Sequence, residues 1–181
     1  MDRRSDLIDR ATDYALEHGL VGLSLRPLAA ALGTSDRMLL YHLHSKDQLV
    51  VEIIRCSTNR SVDELRALPP ARSPREAVHA QWRLRMREEQ TRCERLYVEA
   101  STLGLFGREP YASEVAAANE HWMTAVRDHL ARSGVPADRV ARVAELVDAA
   151  FMGFELDAPL AADIVARGIE TLADAVAALS A

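Results

Sequence analysis

Between Ser24 and Lys46 the chain gathers hydroxyls, cations and one aromatic side chain in a spacing suited to gripping a polyanion. Ser24, Arg26, Thr34, Tyr41 and Lys46 can each hold a phosphate oxygen, contacts that fix register and carry no base information. Arg37 has the forked guanidinium that pairs with a guanine edge. Asp36 suits the positive end of a helix and could accept from a cytosine amino group, although it also repels phosphate. Ser35, Leu40 and His42 complete the surface this run would present. The chemistry is recognition by hydrogen bonds and ion pairs, with no bond made or broken.

The signatures of catalysis are missing. There is no Gly-x-Ser-x-Gly elbow, no His-Glu-x-x-His, no phosphate loop and no Cys-x-x-Cys pair. His42 and His44 stand two apart, so on a helix they diverge and cannot share a metal. Glu120-His121 has no visible partner. No cofactor is expected, and an enzyme is the disfavoured class.

The elements that must position the Ser24–Lys46 run are short helices. Leu7, Ile8, Ala11, Tyr14 and Ala15 recur at helical spacing, and Gly19 follows where a left-handed cap belongs. Ser24 can open a second helix over Leu25–Leu32, with Pro27 in its first turn. Gly33 ends it and begins a tight turn. A third helix covers about Ser35–His42, with Leu39 and Leu43 facing inward. Three short helices with a glycine in the second turn form a helix-turn-helix layout.

Beyond it, Ser45-Lys46-Asp47 begins a helix to about Leu68, and the Pro69–Pro74 stretch breaks it. Ser73-Pro74-Arg75-Glu76 reads as a capping box whose helix runs to about Arg92. Glu94–Leu105, Tyr111–Arg132, Asp138–Leu156 and Leu160–Leu179 follow. About nine helices and no strand are expected, an all-α fold. The functional division is a DNA-binding domain over 1–46 and a larger helical domain over 47–181.

Composition agrees with that class. Of 181 residues 49% are apolar and only 5% aromatic, favouring helix over strand. Cys56 and Cys93 make no disulfide framework. No signal peptide and no run of about 20 apolar residues is present, so a cytoplasmic protein with no membrane partner is expected. The net charge of −5 argues weakly against a nucleic-acid partner. Its placement matters more: Asp6, Asp9, Asp13 and Glu17 belong to the first helix, whereas only Asp36 and Asp47 accompany Arg26, Arg37 and Lys46.

The run resembles the DNA-binding domain of the TetR family of transcription regulators. That pattern has a hydroxyl residue opening helix 2, then Ile-Ala, Gly-Val-Ser opening helix 3, an aromatic-His-aromatic run, and Ser-Lys-Glu before a leucine. Ser24, Leu28-Ala29, Gly33-Thr34-Ser35, Tyr41-His42 and Ser45-Lys46-Asp47 fall on it. Leu40 departs, standing where the family usually has a backbone-touching Tyr, and Leu43 and Ala15 each replace a common Phe. The resemblance covers residues 6–50. It implies a homodimer on two-fold related half-sites of double-stranded DNA, and a repressor released by a small-molecule effector. The alternative is a helix-turn-helix-derived ligand- or protein-binding module without specific DNA binding.

In the larger part, two apolar stripes are candidates for the dimer contact: Val143, Val147, Phe151 and Phe154, then Val165, Gly168, Ile169, Leu172 and Val176. Trp82, Met86, Tyr97, Phe106, Tyr111, Trp122 and Met123 are candidates to line an effector pocket, with Glu99, Asn119, Glu120 and His121 as its polar groups. A Trp or Met at helical spacing is more often core than pocket, so core is the favoured reading for any one of them.

Overall fold

The computed structural model describes residues 3–181. Among the described residues nine helices follow one another and no strand occurs, as the sequence leads one to expect. They are α1 (Arg3–His18), α2 (Leu25–Ala31), α3 (Asp36–Leu43), α4 (Lys46–Arg66), α5 (Pro74–Arg85), α6 (Glu88–Leu105), α7 (Tyr111–Arg132), α8 (Val140–Asp157) and α9 (Ala162–Ser180). The largest difference from the sequence reading lies between α5 and α6, the other ends shifting by a few residues. The helix expected to run to Arg92 stops at Arg85, and α6 begins at Glu88. No Gly or Pro marks the break. Glu88 and Glu89 nevertheless suit the positive first turn of a new helix.

The chain forms two compact units. The first takes the chain up to Ser61 together with Glu88–Glu120, and the second takes Val62–Arg87 with His121–Ala181. The functional division expected at residue 46 follows a different line, because the first unit also recruits α6 and the start of α7. Leu96 and Ala100 of α6 and Ala118 of α7 share one apolar cluster with Leu7, Ala11, Leu28, Leu39, Leu43, Leu49 and Ile53.

In the first unit, polar side chains close what the helix ends leave open. Each α-helix end leaves backbone groups without internal partners. The last carbonyls of α1 are met from α6, since Arg95 Nη2 donates to Leu16 O at 2.5 Å and to Glu17 O at 3.3 Å. The α1–α2 turn is held by Glu99, whose carboxylate accepts from the N–H groups of Leu20 at 2.6 Å and Val21 at 2.9 Å. Gly19 sits under that carboxylate with φ +85°, and a Cβ there would lie 2.8 Å from both carboxylate oxygens. Left-handed backbone and lack of space both demand glycine.

The second unit is built on α5, α8 and α9. Ser73 caps α5 by accepting from Glu76 N–H, and Glu76 reaches back to Arg72 N–H, closing the expected capping box one residue further out. Val78, Leu84, Val126, Leu130, Val147, Phe151, Ile169 and Val176 form its core. Within it Arg85, only 4% exposed, is clamped by Asp148 at 2.5 Å and Glu155 at 3.0 Å and stacks over the Trp122 ring at 4.9 Å. Trp122 Nε1 donates to the same Asp148 oxygen. His129 is fully buried: its Nδ1 faces Gln81 Nε2 at 2.9 Å and its Nε2 faces Pro69 O at 3.2 Å. A neutral ring donating to Pro69 O and accepting from Gln81 satisfies both contacts. Burial holds its pKa below the ordinary histidine value.

Candidate nucleic-acid interface

The interface is built by α2, a four-residue turn and α3. The turn is fixed by backbone alone. Gly33, at φ +66°, donates to Ala30 O at 3.1 Å, and Thr34 N–H donates to Ala29 O at 2.9 Å. This is the paired bond set of a Schellman cap, which needs a left-handed residue at that place. Arg10 of α1 adds a contact from its Nη2 to Leu32 O at 2.7 Å. On the far side of the turn Ser35 is the N-cap of α3, its Oγ accepting from Met38 N–H at 3.3 Å. Leu28 and Ala29 of α2 and Leu39 and Leu43 of α3 are buried, so the pair of helices is anchored from beneath. Ser45 Oγ in turn caps α4 through Gln48 N–H.

What faces outward is the set read from the sequence, with corrections. Ser24, Arg26, Ser35, Asp36, Arg37, Tyr41 and Lys46 are exposed, and Thr34 is half-buried. Tyr41 is 73% exposed, Leu40 only 36%. Ser24 is the N-cap residue of α2, but its hydroxyl makes no capping bond. His42 departs furthest from expectation. It is half-buried, and its Nε2 is enclosed without a hydrogen-bond partner. Its ring meets Tyr41 edge-on at 5.1 Å. At position 42 the side chain lies one residue before the buried Leu43, so the helix turns part of it inward.

Electrostatics explain how a chain of net charge −5 can present a cationic edge. Three of the four acids of α1 are engaged by arginines within the first unit. Asp6 meets Arg10, and Asp9 and Asp13 both meet Arg60 of α4. Glu52 is taken by Arg4, and Glu114 by a two-pronged contact from Arg55. Arg26, Arg37 and Lys46 have no ion-pair partner among the described residues. Their charges remain available to an outside anion.

The other predicted sites fall differently. Tyr97 and Tyr111 pack on the apolar cluster of the first unit, while Trp82, Trp122 and Met123 belong to that of the second. Met86 and Phe106 are exposed, at 41% and 79%. Glu99, considered as a pocket group, is committed to the α1–α2 turn. His121 contacts Arg66. For the dimer set the correction is sharper. Val143, Val147, Phe151, Val165, Ile169, Leu172 and Val176 are all buried in the chain's own core. Phe154 packs over Gly168, where a Cβ would lie 2.5 Å from its ring. The bulkier stripe of each helix turned inward because it carries the larger apolar area.

Fold and surface together define a helix-turn-helix protein of the all-helical kind. No family model matches the chain. The HTH-type transcriptional regulator BetI of Rhizobium meliloti (strain 1021) is 27% identical over 147 residues, covering 79% of this chain and 71% of that protein. Among solved structures, a protein assigned to the TetR family of transcriptional regulators, from Rhodococcus sp., superposes with a TM-score of 0.76 at 15% identity, over 99% of this chain and 98% of that one. A transcriptional regulator of Rhodococcus sp. Rha1 gives 0.74 at 20%, over 99% and 96%. GusR of Salmonella enterica gives 0.70 at 21%, over 98% and 94%. The chain thus has the TetR-family fold along its whole described length, and the proteins that share it include transcriptional regulators. No helix among the described residues is long and apolar enough to cross a membrane, and no group of three or more His, Cys, Asp or Glu among them could hold a metal ion.

Proposed function

We propose that the chain is a DNA-binding transcription regulator of the TetR type, working as a homodimer and released from its operator by a small-molecule effector. The observation that carries the reading is the pairing of a rigid turn with unpaired cations. The Gly33 cap fixes α3 against α2, and Arg26, Arg37 and Lys46 stand around it uncompensated. Arg37, in the first turn of α3, is the candidate base reader with Asp36 and Ser35 beside it. Ser24, Thr34, Tyr41 and Lys46 are the candidate phosphate holders, and the uncapped hydroxyl of Ser24 supports its place among them. Leu40 offers only apolar contact, for instance with a thymine methyl group. His42 serves mainly to orient Tyr41.

A second copy is proposed to meet the outer faces of α8 and α9. Leu146, Leu156 and Ile164 are 42%, 61% and 59% exposed there, and Gly153 has open space where a Cβ would stand. Two-fold pairing of these rows would form a four-helix contact, and a two-fold operator calls for paired recognition helices.

Fluorescence anisotropy with DNA from upstream of the chain's own coding region tests the reading. Wild type should bind a two-fold symmetric segment with strong salt dependence. Arg37→Ala should cost about 1–3 kcal/mol and relax base preference at one position of each half-site. Lys46→Ala should weaken all sequences alike and lower the salt slope by about 1 per protomer. If affinity survives both substitutions, the contact assignment is wrong. If no segment binds specifically, the chain is instead a helix-turn-helix-derived binding module.

A further inference from the structure

In the second unit a groove of about 560 Å³ lies between the Leu68–Ala71 segment and one face of α5. Its volume is in the range of small-molecule sites. Leu68, Pro69, Pro70 and Leu84 give it an apolar lining, and His79, Arg83 and Arg87 stand along it at four-residue intervals. On a helix that spacing puts His79 and Arg83 on one face. We infer that this groove binds a small organic anion with an apolar body, held at its anionic end by Arg83.

Two observations carry the inference. The first is that the wall opposite α5 is built rigidly and from behind. Pro69 O accepts from the buried His129, Ala71 N–H donates to the buried Ser133 Oγ at 3.0 Å, and Leu68 O accepts from Arg132 at 3.3 Å. Two consecutive prolines further limit that backbone, so little conformational freedom remains to be lost when a ligand binds. The second is charge. Arg87 is committed to Glu64, and His79 leans toward Glu170 at 3.7 Å, but Arg83 makes no ion pair or hydrogen bond among the described residues. The lining carboxylate, Glu76, is turned to Arg72 N–H in the capping box. An apolar trough with one uncommitted guanidinium at its rim complements a carboxylate or phosphate on a hydrocarbon body, and disfavours a cation of the same shape.

The groove is a candidate effector site for the proposed regulator, yet binding to it can be measured without DNA. Isothermal titration of the full chain with octanoate, octyl phosphate and octylamine separates head group from body. One or both anions should bind saturably and octylamine should not; which anion binds tighter distinguishes carboxylate from phosphate. Arg83→Glu should weaken the anion about tenfold and remove most of its salt dependence. Arg83→Lys should retain much of the affinity, and Arg142→Glu, an exposed change on α8, should have no effect. Equal binding of octylamine, indifference to Arg83→Glu, or no saturable binding of either anion would each overturn the inference. Failure of the anion to alter operator affinity would leave the groove a binding site and count against its role as the effector site.

Discussion

Replacing Gly19 with alanine probes the joint between α1 and α2, and its cost should depend on a residue 80 positions away. Two penalties add at this site. The left-handed φ of +85° costs a residue with a Cβ about 1–2 kcal/mol relative to glycine. The Cβ would also stand 2.8 Å from both carboxylate oxygens of Glu99. To relieve that contact Glu99 must retreat from Leu20 and Val21 N–H, which it now holds at 2.6 and 2.9 Å. Charge-assisted bonds of this kind are each worth about 1.5–3 kcal/mol, with the lower end apt for a half-buried carboxylate. Gly19→Ala should therefore cost about 3 kcal/mol in wild type and Glu99→Ala about 2–3 kcal/mol. In the Glu99→Ala background the clash is gone, and Gly19→Ala should cost only its backbone part, about 1–2 kcal/mol. The coupling of about 1–2 kcal/mol can be read from urea denaturation followed by far-UV circular dichroism. Both tryptophans lie in the second unit, so their fluorescence alone would miss a local loss in the first. Hydrogen exchange at the Leu20 and Val21 amides supplies the local readout. Equal costs of Gly19→Ala in the two backgrounds, with slow exchange preserved in Glu99→Ala, would refute the reasoning.

Arg85→Met should destabilise by about 3–5 kcal/mol, since it leaves Asp148 and Glu155 without their guanidinium in a buried setting, and chemical denaturation measures it. Replacing the carboxylates as well, in Arg85→Met/Asp148→Asn/Glu155→Gln, should recover a large part of that loss. Acid should weaken the protein through His129. Because its folded-state pKa is depressed, its contribution is present in full above the unfolded value of about 6.5 and is lost as pH falls toward the folded value. Calorimetric Tm should fall between pH 7.5 and 5, and His129→Gln should flatten that part of the profile; an unchanged slope would exclude His129 as the cause. Leu156→Asp, on the exposed row of α8, should give monomers by light scattering while helix content is kept. Val147→Ala should lower stability by about 1–3 kcal/mol through the chain's own core and leave the assembly state unchanged.

Most of the surface of α3 is legible in the sequence because local rules govern it. Gly33 takes a left-handed turn, Thr34 or Ser35 can cap, and the period of Leu39 and Leu43 sets most of the side chains left outside, with His42 turned partly inward against that expectation. The break at Met86–Arg87 was not readable, since it uses no Gly or Pro and depends on packing.

The sequence by itself determined the helical class, the order of the elements and the identity of the turn that sets α3 on α2, all of which rest on contacts within a few residues. It could not decide whether the apolar stripes of α8 and α9 serve the chain's own core or a second copy, because the same stripe suits either partner and only packing against the other helices chooses. It could not join Glu99 to Leu20, or Arg60 to Asp9 and Asp13, across dozens of residues of chain. The Arg60 contacts, with the local Asp6–Arg10 pair, engage three of the four acids of α1, while Arg26, Arg37 and Lys46 have no ion-pair partner among the described residues. The bulk charge of −5 conceals that outcome, and tertiary structure creates it.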